Sequence, residues 1–301
     1  MTNPIEGKFS IEVDDKAVLV AIAKLKSKAE TRAKSDKELL KKCFNLIDLT
    51  TLNSTDSVER GELFAQRVNE LRKVYPQVPN VAAICVYPSL VAAVRQTLID
   101  KDVKIASVAA GFPASQTFID IKLSECQMCL DMGADELDVV ISLGYFLEGD
   151  YFTVFNELQL IKEVAGDARV KVILETGAMP SLEEVRLASF LAMEAGADFI
   201  KTSTGKIDVA ATPEALYVMC QAAKDYYEAT GRMVGIKPAG GMVSSFDAVY
   251  FYSIVEEVLG EKWLNNKWLR LGASRLADNL LSDIIGEDIK YFSASTAGAK
   301  Y

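Results

Sequence analysis

Two consecutive apolar runs in this chain each end in a lysine. Ala197-Asp198-Phe199-Ile200 delivers Lys201 directly before Thr202-Ser203-Thr204-Gly205-Lys206, and Val234-Gly235-Ile236 delivers Lys237 before Pro238-Ala239-Gly240-Gly241. An unpaired ammonium in an apolar site is costly or gives up its proton. If the two runs are neighbouring strands, the ammonium groups repel and each lowers the proton affinity of the other. With partial burial, that brings a lysine from about 10.4 to roughly 7–8. A neutral amine so placed attacks a carbonyl carbon and forms a Schiff base. For either lysine taken alone, a structural Lys–Asp pair is the competing reading.

The chain has no histidine, which excludes imidazole triads, HExxH sites and His-bound zinc or iron. Acid/base and nucleophilic work therefore falls to Lys, Asp, Glu, Tyr, Cys, Ser or Thr. Asp48, Cys85, Asp138 and Glu175 lie near the ends of other apolar runs. Asp138, in "ELDVV", is the candidate proton carrier for carbinolamine formation and dehydration, directly or through a water. Cys85 is read as packed rather than reactive.

Glycine-bearing segments follow the late runs: "STGK", "AGG" at 239–241 and "GASR" at 272–275. Backbone N–H groups at such glycines and at a helix N-terminus bind phosphate, and Lys206 adds charge. Plain turns are the alternative.

The elements that must position these residues recur along the chain. β-type runs are read at 44–50, 81–87, 104–110, 135–141, 169–175, 198–203, 233–238 and 268–273, with amphipathic stretches long enough for crossover helices between them. "MGAD", "AGDA" and "AGAD" repeat a Gly turn that joins a helix to the next strand. Eight βα units predict an α/β fold, a (β/α)8 TIM barrel, with functional groups at the C-terminal ends of its strands. A doubly wound open sheet is the runner-up, but "DLTTLN" is not a GxGxxG turn. The expected layout is an N-terminal helical extension over 1–40, a barrel over 41–292 and a flexible tail over 293–301. The extension, "VDDKAVLVAIAKLKSKAETRAK", is expected on the N-terminal end of the barrel or on a neighbouring subunit.

A net charge of −9 argues against a nucleic-acid partner, and the absence of an 18-residue apolar run argues against a membrane span. Five cysteines scattered through apolar segments fit a reduced, cytoplasmic protein. Cys126 and Cys129 form a CxxC of helical periodicity, read as core rather than metal or redox.

At these residues the sequence resembles the Schiff-base type of deoxyribose-phosphate aldolase. "LIDLTTLN", "AAICVYP", "GADELDVV", "ILETG", "GADFIKTSTGK", "GIKPAGG", "LGAS" and a C-terminal Tyr occur in that family's order, from about residue 44 to 301. The resemblance implies reversible cleavage of 2-deoxy-D-ribose 5-phosphate to acetaldehyde and D-glyceraldehyde 3-phosphate, with no metal or organic cofactor. It implies Lys201 as the Schiff-base lysine, Lys237 as the residue that perturbs it, and Asp138 as proton relay assisted by Asp48. Thr50, Thr204, Gly205 and Lys206 would bind substrate, with Gly240, Gly241, Gly272 and Ser274 at the phosphate. The C-terminal Tyr301 would carry a proton to the enamine carbon. Expected partners are a small phosphorylated sugar and aldehydes, with a homodimer as the assembly.

Two departures stand out. Many relatives carry a cation shortly after "AGG", where this chain has Met242 and Val243; Arg275 is the expected stand-in. The segment before residue 40 is longer than in compact bacterial members. A transaldolase-like Schiff-base enzyme and a non-catalytic phosphosugar-binding barrel are the competing functions.

Overall fold

The computed structural model describes residues 3–293. Two helices, α1 (Asp15–Ser35) and α2 (Lys37–Asn45), precede the first strand. There follow β1 (Ile47–Thr50), α3 (Val58–Val74), β2 (Ala83–Val86), α4 (Val91–Thr97), β3 (Lys104–Ala109), α5 (Ile119–Asp131) and β4 (Glu136–Val140). The second half runs α6 (Leu143–Leu147), α7 (Tyr151–Ala165), β5 (Arg169–Ile173), α8 (Leu182–Glu194), β6 (Phe199–Lys201), α9 (Pro213–Thr230), β7 (Gly235–Lys237), α10 (Ser245–Leu259), β8 (Leu271–Ala273) and α11 (Arg275–Ile285).

All eight runs read from the sequence are strands, each shorter than its apolar run. The first begins at Ile47 because Phe44 and Asn45 complete α2. The strands form one parallel sheet in the order β7-β6-β5-β4-β3-β2-β1-β8. Its edges meet through the bridges Ile236–Leu269 and Ala239–Gly272, reinforced by Ile236 N donating to Trp268 O and Gly272 N to Pro238 O. The result is a (β/α)8 barrel. The αβ glycines Gly133, Gly166 and Gly196 all have positive φ, which a side chain would strain.

The N-terminal helices correct one expectation. α1 does not cover the end of the barrel. It lies along its flank against α9 and α10, with Tyr250 Oη donating to Ile22 O and Arg32 paired with Glu256 at 2.6 Å. α2 packs on α10 and α11. The apolar stripe Val18, Ile22, Leu25 and Ala29 is buried against helices, a surface the strand ends do not offer. Cys126 and Cys129 are free thiols buried on α5. None of the described helices is long and apolar enough to cross a membrane.

Candidate active site

Side chains alternate across a strand, so residues two apart share a face. On the inner face of this barrel the alternation brings charges together: Asp48 from β1, Glu136 and Asp138 from β4, Lys171 from β5, Lys201 from β6, Lys237 from β7, and Arg270 just before β8. Each is at most 3% exposed. Lys171 lies 2.7 Å from Asp138, 2.8 Å from Glu136 and 3.3 Å from Asp48. Arg270 lies 2.6 Å from Asp48 and 2.8 Å from Glu136. Lys237 reaches Asp48 at 2.5 Å and Asp138 at 2.7 Å. Lys201 has one carboxylate, Asp138 Oδ2, at 2.7 Å.

Four basic groups thus face three carboxylates in a buried cluster. A net charge in such a place is expensive, and loss of one proton removes it. Lys201 has the fewest carboxylates to hold its proton. Burial lowers its proton affinity, Asp138 opposes that, and the neighbouring Lys237 lowers it further. Lys237 moves the other way: burial pulls its pKa down, but Asp138 and Asp48 outweigh burial and raise it. The same competition raises Lys171. The mutual depression of the two lysines expected from the sequence is therefore corrected. Burial is the larger cause at Lys201, and Lys237 stays charged. Asp138 and Asp48 remain ionised, since the surrounding cations overcome the upward push of burial.

Above this cluster opens a cavity of about 500 Å³. Of the three buried strand lysines only Lys201 lines it; Lys171 and Lys237 lie beneath. The cavity also brings together Thr50, Thr204, Gly205, Lys206, Gly240, Gly241, Gly272, Ser274 and Arg275, every substrate-binding residue expected from the sequence. Its charged lining is otherwise Arg60 and Asp278, so with Lys201 neutral three cations, Arg60, Lys206 and Arg275, face one carboxylate in a chain of net charge −9.

The glycines do different work from one another. Gly240 N donates to Gly272 O, and Gly272 N to Pro238 O, so these two amides close the barrel seam. A side chain at Gly272 would sit 2.7 Å from Ala239 Cβ. Among the described residues, Gly205 N and Gly241 N make no backbone hydrogen bond and are left for an anion, whereas in the first turn of α11 Ala277 N already donates to Ser274 O. Lys206 donates its Nζ to Leu52 O. Arg275 is exposed at the start of α11.

Glu175 does not join the lysines. It has a left-handed backbone, φ 56°, and accepts from Thr204 N at 3.0 Å and Thr204 Oγ1 at 2.5 Å, fixing the loop after β6. Cys85 is fully buried among Leu52, Ala106 and Val108, and burial raises its pKa. Asp278 accepts from Phe292 N at 2.8 Å and Ser293 N at 2.9 Å, which holds those two residues at the cavity wall. Tyr301 and residues 294–300 lie outside the described residues.

Sequence reading missed Glu136, Lys171 and Arg270. The signal was present: each lies two residues before a singled-out or inward position, at Asp138, Ile173 and Gly272. It also missed Arg60 and Asp56, which sit in a helix and a loop with no apolar run to mark them.

Residues 43–259 match the family model described as DeoC/LacD family aldolase. A Homo sapiens protein named deoxyribose-phosphate aldolase is 37% identical over 284 residues, covering 91% of this chain and 88% of the relative. Its Bos taurus counterpart is 36% identical with the same coverage. Among solved structures, a tetrameric deoxyribose phosphate aldolase from Aeropyrum pernix aligns with TM-score 0.63 at 25% identity. It covers 86% of this chain and 96% of that one.

Proposed function

Because the chain belongs to the DeoC/LacD family of aldolases, we propose that it cleaves 2-deoxy-D-ribose 5-phosphate reversibly into acetaldehyde and D-glyceraldehyde 3-phosphate, with Lys201 as the Schiff-base lysine. The observation that carries this is the contrast among the lysines. Among the buried lysines of the described strands, Lys201 alone combines access to the cavity with a lowered pKa.

The neutral Lys201 amine adds to the aldehyde carbon of the open-chain sugar, and the carbinolamine loses water to give an imine. Asp138, 2.7 Å away, takes and returns the protons of these steps, directly or through a water. Once Lys201 is an imine, cleavage of the C2–C3 bond sends the electron pair into the imine. The C3 hydroxyl proton goes to the relay, and the triose phosphate leaves. Tyr301 then protonates C2 of the enamine, and hydrolysis frees acetaldehyde and the amine. Asp48 serves indirectly, by holding Lys237 and Arg270 in place.

The cationic cavity lining supports a phosphate-bearing substrate. Thr50 and Thr204 are the candidate partners of the sugar hydroxyls, and Gly241, Ser274 and Arg275 of the phosphate. A reducing, cytoplasmic setting accords with five free, buried thiols. The deciding experiment is borohydride reduction in the presence of acetaldehyde followed by peptide mapping. An ethyl group on Lys201 is the expected result. A label elsewhere, or none, would remove Lys201 from the mechanism.

A further inference from the structure

One cation of the cavity belongs to none of the glycine segments. Arg60 lies in the first turn of α3, and its Nε is 3.0 Å from Asp56 Oδ1. The Asp56 side chain is only 1% exposed. Its Oδ2 accepts from Thr51 Oγ1 at 2.7 Å and Asn53 N at 2.9 Å, and its Oδ1 from Asn53 Nδ2 at 3.2 Å. One buried carboxylate thus fixes the loop between β1 and α3 and holds the guanidinium by its inner nitrogen. Among the described residues, neither Nη group of Arg60 has a hydrogen-bond partner. β1 pairs with β8, so this loop borders the one carrying Ser274 and Arg275, and both line the cavity.

A guanidinium anchored through Nε still presents two Nη donors in a plane, a match for two oxygens of a phosphate. Neutralising Asp56 needs only the Nε contact and leaves that outer edge without a task. We propose that Arg60 is a substrate-binding residue that grips the phosphate from the β1 side and so selects phosphorylated over unphosphorylated sugars. This rests on the reading that the substrate carries a phosphate. It supplies a cation for the positions where Met242 and Val243 provide none, from an element remote from them in sequence.

Two measurements test it: titration calorimetry with inorganic phosphate, and steady-state kinetics on 2-deoxyribose 5-phosphate and on 2-deoxyribose. Arg60→Gln should weaken phosphate binding about tenfold and raise KM for the phosphorylated sugar to match. Turnover at saturation and activity on 2-deoxyribose should not change. Arg60→Lys, which keeps the charge but not the fork, should fall between Gln and the parent; it decides the matter if Arg60→Gln fails to fold. Unchanged phosphate affinity, or equal losses on both sugars, would overturn the assignment. A parent protein that binds phosphate through Arg60 yet cleaves no 2-deoxyribose 5-phosphate would refute the substrate reading and uphold Arg60 as the anion ligand.

Discussion

Lys201 and Lys237 stand in register on β6 and β7 and donate to a single oxygen, Asp138 Oδ2, each at 2.7 Å. They diverge because Lys237 has a second carboxylate, Asp48, and Lys201 does not. Which lysine becomes a nucleophile is decided by the count of carboxylates around each, within a cluster that carries one positive charge too many.

That charge count gives opposite expectations for two kinds of substitution. Lys237→Leu removes a cation, so the cluster is balanced with Lys201 still protonated. The rising limb of the pH–rate profile, which follows deprotonation of Lys201, should move to higher pH. Activity near neutrality should drop at least tenfold and recover as pH rises. Glu136→Gln removes a carboxylate and should move the same limb to lower pH. Profiles that shift in one direction for both variants would dispose of the charge-balance account. Lys201→Leu should be inactive at every pH.

Acid should unfold the protein through the same cluster. Asp48, Glu136 and Asp138 all have folded pKa values below the ordinary carboxylate range, where burial is outweighed by Lys171, Lys237 and Arg270 among others. Unfolded Asp and Glu titrate at about 3.9 and 4.3, so in acid the unfolded chain binds more protons than the folded one. The stabilisation is complete above those values and is lost as pH falls through the folded ones. Thermal unfolding followed from pH 6 to pH 2 should show Tm falling steadily below about pH 4. A constant Tm over that range would contradict it.

Arg275, exposed at the start of α11, is the second cation expected at the phosphate. Arg275→Ser should raise KM for 2-deoxyribose 5-phosphate about tenfold and leave activity on 2-deoxyribose nearly unchanged. Combined with Arg60→Gln, the two losses should exceed either alone. Equal effects on both sugars would mark Arg275 as structural.

Deletion of Tyr301, or Tyr301→Phe, should cut kcat by about 10²-fold while borohydride trapping at Lys201 persists. Ser293, the last described residue, lines the cavity, and the eight residues from there to Tyr301 can reach at most about 29 Å. Exchange of the acetaldehyde methyl protons for deuterium should slow by a similar factor. Undiminished exchange in the truncated protein would return that proton transfer to Asp138.

The barrel was legible because its strands carry apolar runs and its αβ turns repeat a glycine. Lys201 and Lys237 were legible because a lysine closing an apolar run is conspicuous. Lys171 was not: in "RVKVILE" it sits inside the run, where alternation alone marks it as inward. The electrostatics were only half readable, since the sequence shows two lysines on adjacent strands but not that Asp48 reaches one and misses the other. Arg60 and Asp56 form a local i,i+4 pair, but their place beside Ser274 and Arg275 depends on the pairing of β1 with β8, a contact between the two ends of the barrel sequence that no local pattern encodes.

Arg270 has a consequence for how this chain is made. It is supplied just before β8, yet its partners Asp48 and Glu136 belong to β1 and β4. A ribosome that has released everything through β7 has produced two buried carboxylates still lacking their guanidinium, and a sheet whose first and last edges are open. The interior therefore cannot settle piecemeal in the order of synthesis. It becomes self-consistent only when nearly the whole polypeptide has emerged, so shortened chains ending before Arg270 should remain protease-sensitive rather than form a smaller stable barrel.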